Sequence, residues 1–387
     1  MTKTISIGMV VVVLLIVGAG GAAWIFNPDK QAVDEETKRE LSRVVRDVAS
    51  KQAGGILVLV DMPNGELVLA EGPSADEAFR VGSITKLFTA AVVLQLVEEG
   101  KLSLDDPLPQ VLPEHADRFE FGEQITVRQL LGHTAGLDNL NNNPAFFNDF
   151  VANLEVADGV ASNACVSREN RNTLSYASEE GLFEPGTDWA YSNTGYIVLG
   201  EIIEATTGQP LHNVYRERIL DRLGMEHTWL ACDEEPRVEL AHGYLEPGTF
   251  PLPGQGDAVI DVTDVTFSDA WSAGGMVATA DDLAVFARAL FTGELFDRAA
   301  TLDAMLEASS ESLDVASQGD WPPTGLGVEI RGDTYGKAGD ILGYSAQLSY
   351  DPTTDIVVVA LATNHSADAD VVSLDSEIRS ILRAAAE

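Results

Sequence analysis

Ser83 and Lys86, three residues apart, are of the types and spacing that suit nucleophilic chemistry. Residues three apart lie on one face of a helical turn, within reach of each other. A serine hydroxyl is a poor nucleophile until a base removes its proton, and a lysine can be that base only if burial or a neighbouring charge lowers its pKa. None of the other six lysines follows a serine at this spacing. The pair predicts a lysine-activated serine nucleophile; its structural alternative is a capping serine beside a surface lysine.

The pair stands at the start of a segment that is apolar on nearly all sides, from Thr85 to Glu99. A helix with no polar stripe must be enclosed by protein, and Gly100 ends it. The start of an enclosed helix removes water from Lys86 and brings the positive end of the helix dipole to Ser83. Both effects favour a neutral lysine and a developing oxyanion.

Two later stretches carry further polar groups. Tyr191 and Asn193 precede a helical run at 196–205, where a tyrosine can shuttle protons and an amide can bind a substrate carbonyl. Lys337-Ala338-Gly339 enters an apparent strand, ILGYSAQLSY, where a substrate backbone can lie alongside and a backbone N–H can complete an oxyanion hole. Taken alone, each stretch is equally well explained by core packing or chance.

The pattern of the rest of the chain predicts the elements that must position these groups. Helices are predicted at 37–52, 85–99, 280–291 and 368–384, and strands at 325–331, 344–351 and 355–363. A hairpin is predicted at 55–70, with its turn at Pro63-Asn64-Gly65. Short helices and polar loops fill the middle of the chain. The simplest architecture is α+β (an α/β sandwich), in which an antiparallel sheet built from both chain ends is flanked by helices and carries an inserted, mainly helical lobe at about 104–265.

The ends of the chain define its predicted organisation. Ile5–Phe26 contains no charged residue and, at about 1.5 Å per residue, is long enough for a ~30 Å hydrocarbon core. Lys3 before it favours export of the remainder. An uncleaved membrane anchor and a cleaved signal peptide, with Gly21-Ala22-Ala23 as its small residues, are both open. We therefore expect an anchor or signal plus tether at 1–36, one domain at 37–387, and an extracytoplasmic location, either anchored or secreted.

Composition excludes several classes of partner. The 387 residues include 24 basic and 61 acidic side chains, a net charge of −37, and 45 % are hydrophobic. This fraction of hydrophobic residues excludes a generally disordered chain. The negative net charge argues against nucleic acid or anionic membrane surfaces as binding partners. Cys165 and Cys232 are the two cysteines; an exported chain allows a disulfide between them, and two separate buried thiols are equally possible. The scattered histidines lack ligand spacing, so no metal and no cofactor is expected.

The order SxxK, YxN, KxG resembles that of the serine penicillin-recognising enzymes, which include serine β-lactamases, D,D-carboxypeptidases, D-aminopeptidases and related esterases. The resemblance extends over about 40–387 and is closest to the class C β-lactamase and Streptomyces-type D,D-carboxypeptidase branch. The blocks that carry it are FRVGSITKLFTAAVVLQLVEEGKLSLDD, ITVRQLLGHTAGL, EPGTDWAYSNTGYIVLGEIIEATTG, WSAGGMVATADDLAVFARAL and GKAGDILGYSAQLSYDPTTDIVVVALATN.

The resemblance implies catalytic roles for three residues. Ser83 is the acylated nucleophile, Lys86 assists its deprotonation, and Tyr191 exchanges protons with the nucleophile and the leaving group. Two cations around one phenol would favour its phenolate form.

It also implies substrate-binding roles. Asn193 positions the acyl side chain, Lys337 supplies positive potential near the Tyr191 oxygen, and Gly339 lets the substrate approach the strand. The backbone N–H groups of Ser83 and Asp340 form the oxyanion hole.

Two positions, Ala338 and Glu329, depart from the pattern that the resemblance implies. Ala338 stands where the family commonly has a hydroxyl residue, which removes a hydrogen bond to a substrate carboxylate. Glu329 stands where carboxypeptidase relatives can carry an arginine, and an acid there is expected to repel that carboxylate. His133, in GHTAGL, is expected to be a structural residue.

The sequence predicts a serine hydrolase that cleaves an ester, an amide or a β-lactam through an acyl-enzyme on Ser83. Its expected partners are a small-molecule or peptidoglycan-type acyl substrate and, through the N-terminal helix, a membrane. Ala338 and Glu329 favour an esterase or a different amidase over a strict D-alanyl-D-alanine carboxypeptidase. The alternative is a catalytically silent, penicillin-binding-protein-like module that binds in the cell envelope.

Overall fold

The structure is a computed structural model that describes residues 33–252, 255–319, 321–365 and 368–386. The predicted membrane anchor or signal at Ile5–Phe26 lies outside the described residues. Within those ranges, no helix is both long and apolar enough to cross a membrane.

Thirteen strands occur in the described residues. In chain order they are β1 Ile56–Met62, β2 Gly65–Glu71, β3 Phe79–Arg80, β4 Glu155–Ala157, β5 Val160–Ser162, β6 Trp229–Leu230, β7 Tyr244–Leu245, β8 Ile260–Asp261, β9 Met276–Ala278, β10 Glu329–Arg331, β11 Thr334–Ile341, β12 Tyr344–Asp351 and β13 Ile356–Ala362.

Fourteen α-helices occur in the same residues. They are α1 Glu35–Ala49, α2 Thr85–Glu98, α3 Leu108–Val111, α4 Pro113–Ala116, α5 Val127–Leu131, α6 Pro144–Ala152, α7 Asn193–Thr207, α8 Leu211–Tyr215, α9 Asp221–Leu223, α10 Trp271–Gly274, α11 Ala280–Phe291, α12 Ala299–Leu306, α13 Ser310–Ser317 and α14 Asp368–Ala386.

The main sheet has six antiparallel strands in the order β10-β11-β12-β13-β1-β2. Strands from both chain ends therefore meet inside this sheet, where β1 pairs with β13. Helices flank both faces, which confirms the predicted α+β class and its antiparallel sheet flanked by helices.

Both faces of this sheet are buried, which explains the continuous apolar runs in its central strands. Along β1, Leu57 and Leu59 face a core that includes α2 and α11, while Val58 and Val60 face α1 and α14. Burial of apolar surface on each face stabilises the fold by about 25 cal/mol per Å² of that surface. This packing positions the sheet, including strand β11 with Lys337 and Gly339, relative to α2.

Helix α2 is enclosed by protein, as its composition predicts. Every residue from Thr85 to Leu96 is buried, and the helix packs against α7 and α10. The predicted hairpin at 55–70 and the helix at 280–291 are confirmed as β1–β2 and α11.

Two strand predictions near the third motif are wrong. Of the strand predicted at 325–331, only Glu329–Arg331 forms β10. Lys337–Gly339 does not enter ILGYSAQLSY, because it lies inside a separate strand, β11, that ends at Ile341. A turn follows, and Gly343 adopts the left-handed conformation there, with φ +85. Gly336 and Gly339 interrupt the alternation of apolar and polar residues that would have identified β11 in the sequence.

The middle of the chain contains short strands as well as the predicted short helices and loops. It contributes to two small sheets, β3-β9-β6 and β4-β5-β8-β7, beside short helices. The division of the chain at residues 36 and 37 and the bounds of the lobe stay predictions.

Cys165 and Cys232, left open by the sequence, form a disulfide whose Cα atoms are 5.4 Å apart. The bond joins positions 67 residues apart. It fixes the polar loop before α7 to the segment that follows β6.

Candidate active site

The serine of the first motif sits in a single 3-10 turn, Gly82–Ile84, that leads directly into α2. Gly82 has φ +49, in the left-handed region that favours glycine. A side chain at this position would also place its Cβ 2.8 Å from the backbone nitrogen of Asp340. The turn therefore needs glycine in order to present Ser83 beside β11.

Gly339 permits the same approach from the other side. A Cβ at Gly339 would collide with the carbonyl oxygen of Val81 and would lie 3.0 Å from the backbone nitrogen of Ser83. The two glycines thus bring the backbones at Ser83 and Asp340 together, and both residues line one cavity. Such proximity is one requirement for a pair of oxyanion-hole amides.

The lysine of the first motif is fully buried and has three polar neighbours. The Nζ atom of Lys86 lies 2.7 Å from Asn193 Oδ1, 2.6 Å from the carbonyl oxygen of Ala273 and 3.2 Å from Ser83 Oγ. Burial and, secondly, the charge of Lys337 hold the pKa of Lys86 well below its usual range. The lysine is therefore prepared to act as a base.

The hydrogen bonds of a neutral Lys86 follow from its chemistry. A neutral amine has two N–H groups and one lone pair. Asn193 Oδ1 and the Ala273 carbonyl can only accept, so they take both hydrogens. The lone pair is left for the third neighbour, Ser83, whose hydroxyl then donates to Nζ. Proton transfer from Ser83 to Lys86 needs no rearrangement in this state.

Tyr191 completes the group at the nucleophile. Its Oη lies 2.6 Å from Ser83 Oγ, and the Nζ atoms of Lys86 and Lys337 lie 4.9 and 5.2 Å from the centroid of its ring. When Ser83 donates to Lys86, its oxygen accepts the hydrogen of Tyr191. Trp321 stacks on Tyr191, with ring centroids 5.1 Å apart and planes 9° apart.

Asn193, at the first position of α7, is held at both ends. Its Oδ1 accepts from Lys86, and its Nδ2 donates to Asn141 Oδ1 over 3.2 Å. The side chain lines the same cavity as Ser83. The structure thus places Asn193 against the base, and its predicted role in positioning the acyl side chain stays a prediction.

Glu329 is not the free, repelling acid that the sequence suggested. It is 2 % exposed. Its Oε1 accepts from Lys337 over 2.6 Å, and its Oε2 accepts from Arg331 over 2.8 Å. Burial alone would raise the pKa of Glu329, but the charges of Lys337 and Arg331 outweigh it and lower the pKa. Lys337 therefore forms its ion pair with a carboxylate of the protein itself.

A cavity of about 820 Å³ opens beside Ser83 on the side of Asn193. Its described lining residues include no lysine or arginine. Six are aromatic: Phe146, Phe147, Phe150, Tyr176, Phe250 and Phe267. Four are acidic: Asp149, Glu155, Asp269 and Asp340. The cavity thus joins an apolar wall to a negative charge.

Sequence reasoning brought Ser83, Lys86, Tyr191 and Lys337 forward, and the structure gathers all of them. It missed the Ala273 carbonyl, because a backbone acceptor has no side-chain signature. It also missed Asn141, in the 3-10 turn Leu140–Asn142, Trp321, in the connection before β10, and Arg331, at the end of β10. Only tertiary structure shows their neighbours.

The comparison with protein families finds one match over most of the chain. The family described as Beta-lactamase matches residues 41–383. Penicillin-binding protein 4 of Amycolatopsis lactamdurans is 31 % identical over 218 residues, which cover 56 % of this chain and 51 % of that protein. Esterase EstB of Burkholderia gladioli is 31 % identical over 291 residues, covering 72 % and 68 % respectively. The chain thus spans about half to two thirds of the length of these curated relatives.

Solved structures agree in fold. A D-stereospecific amidohydrolase from Streptomyces sp. aligns with a TM-score of 0.70 at 26 % identity, covering 86 % of this chain and 95 % of that one. The D-amino acid amidase of Ochrobactrum anthropi SV3 aligns with a TM-score of 0.74 at 23 % identity, covering 91 % and 100 %. The second likeness concerns the fold alone.

Proposed function

Since this chain belongs to the beta-lactamase family, whose members are serine hydrolases of esters, amides or β-lactams, we propose that it cleaves an ester or amide through an acyl-enzyme on Ser83. The observation that carries the proposal is the contact of Ser83 Oγ with both Lys86 Nζ, at 3.2 Å, and Tyr191 Oη, at 2.6 Å. A nucleophile is here in reach of a base and of a proton donor.

Acylation uses the protons already in place. Ser83 Oγ attacks the carbonyl carbon while Lys86 Nζ takes its proton, and the N–H groups of Ser83 and Asp340 stabilise the oxyanion. The bond to the leaving group then breaks, and Tyr191 gives its proton to the departing atom. The acyl-enzyme holds a charged Lys86 beside a Tyr191 phenolate, and the charge of Lys86 stabilises that phenolate.

Deacylation reverses these transfers with water as the nucleophile. The Tyr191 phenolate takes a proton from water, and the hydroxide attacks the acyl carbon. Ser83 Oγ departs and recovers its proton from Lys86. The cycle consumes one water and restores both side chains, so it needs no external base.

The substrate that fits this site has no carboxylate on its leaving side. Lys337 is paired with Glu329, and Ala338 has no hydroxyl. Neither position therefore supplies a substrate carboxylate with a charge-assisted hydrogen bond, which would be worth about 1.5–3 kcal/mol. The aromatic and acidic side chains that line the cavity favour an apolar acyl group that is neutral or positively charged.

We also propose an extracytoplasmic location, with the N-terminal segment as a membrane anchor or a cleaved signal. The Cys165–Cys232 disulfide supports it, because such bonds persist in oxidising compartments. The uncharged run Ile5–Phe26 is the second support.

The test is a kinetic comparison of matched substrates. The same apolar acyl group would be offered as an aryl ester, as an amide and as a peptide with a terminal carboxylate, alongside benzylpenicillin. We expect turnover of the ester and the amide, weaker turnover of the carboxylate peptide, and loss of turnover in Ser83→Ala and of most of it in Tyr191→Phe. Binding without turnover of any of these compounds would favour the silent envelope module instead.

A further inference from the structure

His133 contacts the backbone on both sides of Tyr191. The backbone N–H of Ala190 donates to the His133 carbonyl oxygen over 3.0 Å. The backbone N–H of Ser192 donates to His133 Nδ1 over 3.2 Å. One residue therefore accepts from the amide before Tyr191 and from the amide after it, which fixes the position of the peptide that carries the phenol.

The imidazole also forms part of the wall behind that phenol. His133 is 3 % exposed. Its ring centroid lies 4.7 Å from that of Tyr191, 5.1 Å from that of Tyr196 and 5.8 Å from that of Trp189. The ring therefore lies within a cluster of aromatic side chains that includes Tyr191.

The backbone of His133 adopts an uncommon conformation, with φ 60. A non-glycine residue in the left-handed region is disfavoured, and asparagine tolerates the region better than most residues. The conformation turns both acceptors of His133, its carbonyl and its Nδ1, toward the 190–192 segment.

The hydrogen bond from Ser192 defines the state of the ring. An Nδ1 that accepts from an amide carries no proton, so the neutral ring is protonated at Nε2. Burial and, secondly, the charge of Lys337 hold the pKa of His133 well below its usual range, which favours the neutral ring with Nδ1 as an acceptor.

We propose that His133 is a positioning residue for the proposed hydrolysis: by accepting from the amides of Ala190 and Ser192, it holds the Tyr191 backbone so that Oη stays at Ser83. The role rests on the proposed function, because it matters only if Tyr191 moves protons. His133 itself touches no reacting atom.

Two substitutions separate the acceptor from the backbone conformation. In His133→Asn the Oδ1 atom is attached to Cγ, as Nδ1 is, so it can accept from Ser192, and asparagine tolerates the left-handed backbone. In His133→Gly that backbone is unstrained but the acceptor is gone. We expect kcat for an activated ester to fall roughly 100-fold in His133→Gly, the cost of misplacing a catalytic group by about 1 Å, with KM changed much less. His133→Asn should retain most of the activity.

A second pair of variants distinguishes positioning from general structural support. In a Tyr191→Phe background there is no proton donor left to position, so adding His133→Gly should reduce kcat little further. An equal loss in both backgrounds would overturn the proposal. So would equal losses in His133→Gly and His133→Asn.

If His133→Gly fails to fold, His133→Ala replaces it as the variant without an acceptor: a kcat equal to that of His133→Asn would overturn the role of the acceptor, and a much lower kcat would support it. An inactive wild type would contradict the proposed function itself, whereas an active wild type with either overturning result would remove only His133.

Discussion

The Asn193→Asp substitution tests whether Lys86 works as a neutral base. Aspartate matches asparagine in shape and places a carboxylate oxygen where Oδ1 now lies, 2.7 Å from Lys86 Nζ. An opposite charge at such a distance favours the charged form of the lysine and shifts its pKa upward by about 1–3 units. The substitution thus changes the protonation of the base with little change in its packing.

The sign of the effect on activity follows from this shift. Burial and the charge of Lys337 lower the pKa of Lys86 in the wild type, so the base is lost only as the pH falls through that lowered value. In Asn193→Asp the same loss occurs at higher pH. Below both pKa values, kcat/KM should be about 10- to 1000-fold lower than in the wild type, one power of ten for each unit. The difference should shrink as the pH rises.

The assay is the pH profile of kcat/KM for a neutral amide, which tolerates alkaline buffers better than an ester. Asn193→Ala is the matched control, because it removes the acceptor without adding charge. We expect it to lower kcat/KM without moving the acidic limb to higher pH. An acidic limb in Asn193→Asp that coincides with that of the wild type would refute a neutral Lys86 as the base.

Three further predictions concern the surroundings of the site. Glu329→Gln removes the carboxylate that pairs with the buried Lys337, and chemical denaturation should find the variant less stable by about 3 kcal/mol. Its preference for a carboxylate peptide over the matching amide should rise about tenfold. An unchanged preference would contradict the claim that Glu329 prevents Lys337 from binding a substrate carboxylate. Gly339→Ala should lower kcat/KM roughly 100-fold by displacing β11 from the turn Gly82–Ile84 that carries Ser83. Gly195→Ala is the control and should not lower it, because the added methyl meets only ordinary contacts beginning at 3.6 Å. Equal activities of the two variants would rule out a need for the close approach of β11 to that turn. Replacing Cys165 and Cys232 together by alanine should lower the free energy of unfolding by about 4 kcal/mol, and a reductant should then destabilise the wild type alone.

Local patterns in the sequence predict the parts of the fold whose cause is local. The enclosed helix α2, the β1–β2 hairpin and the pairing of both chain ends follow from composition and spacing. Strand β11 does not, because Gly336 and Gly339 interrupt its apolar alternation. The glycines serve a close approach to other backbone segments, which no local pattern reveals.

The same distinction holds within the site. The types and spacing of Ser83 and Lys86 predict their contact, since both lie on one turn. The pairing of Glu329 with Lys337 depends on the register of β10 against β11, where Glu329 lies opposite Gly336. Sequence reasoning placed Glu329 correctly in the strand before Lys337, but it could not show that the two charges neutralise each other.

The central claim, that Ser83 becomes acylated, is tested most directly by intact-protein mass spectrometry followed by peptide mapping. The described domain would be mixed with an activated ester of an apolar acid, quenched in acid within the first turnovers, and compared with Ser83→Ala. We expect a mass increase equal to one acyl group in the wild type, mapped to the peptide that contains Ser83, and none in the variant. Ester turnover that persists in Ser83→Ala, or an acyl group on any other residue, would contradict it.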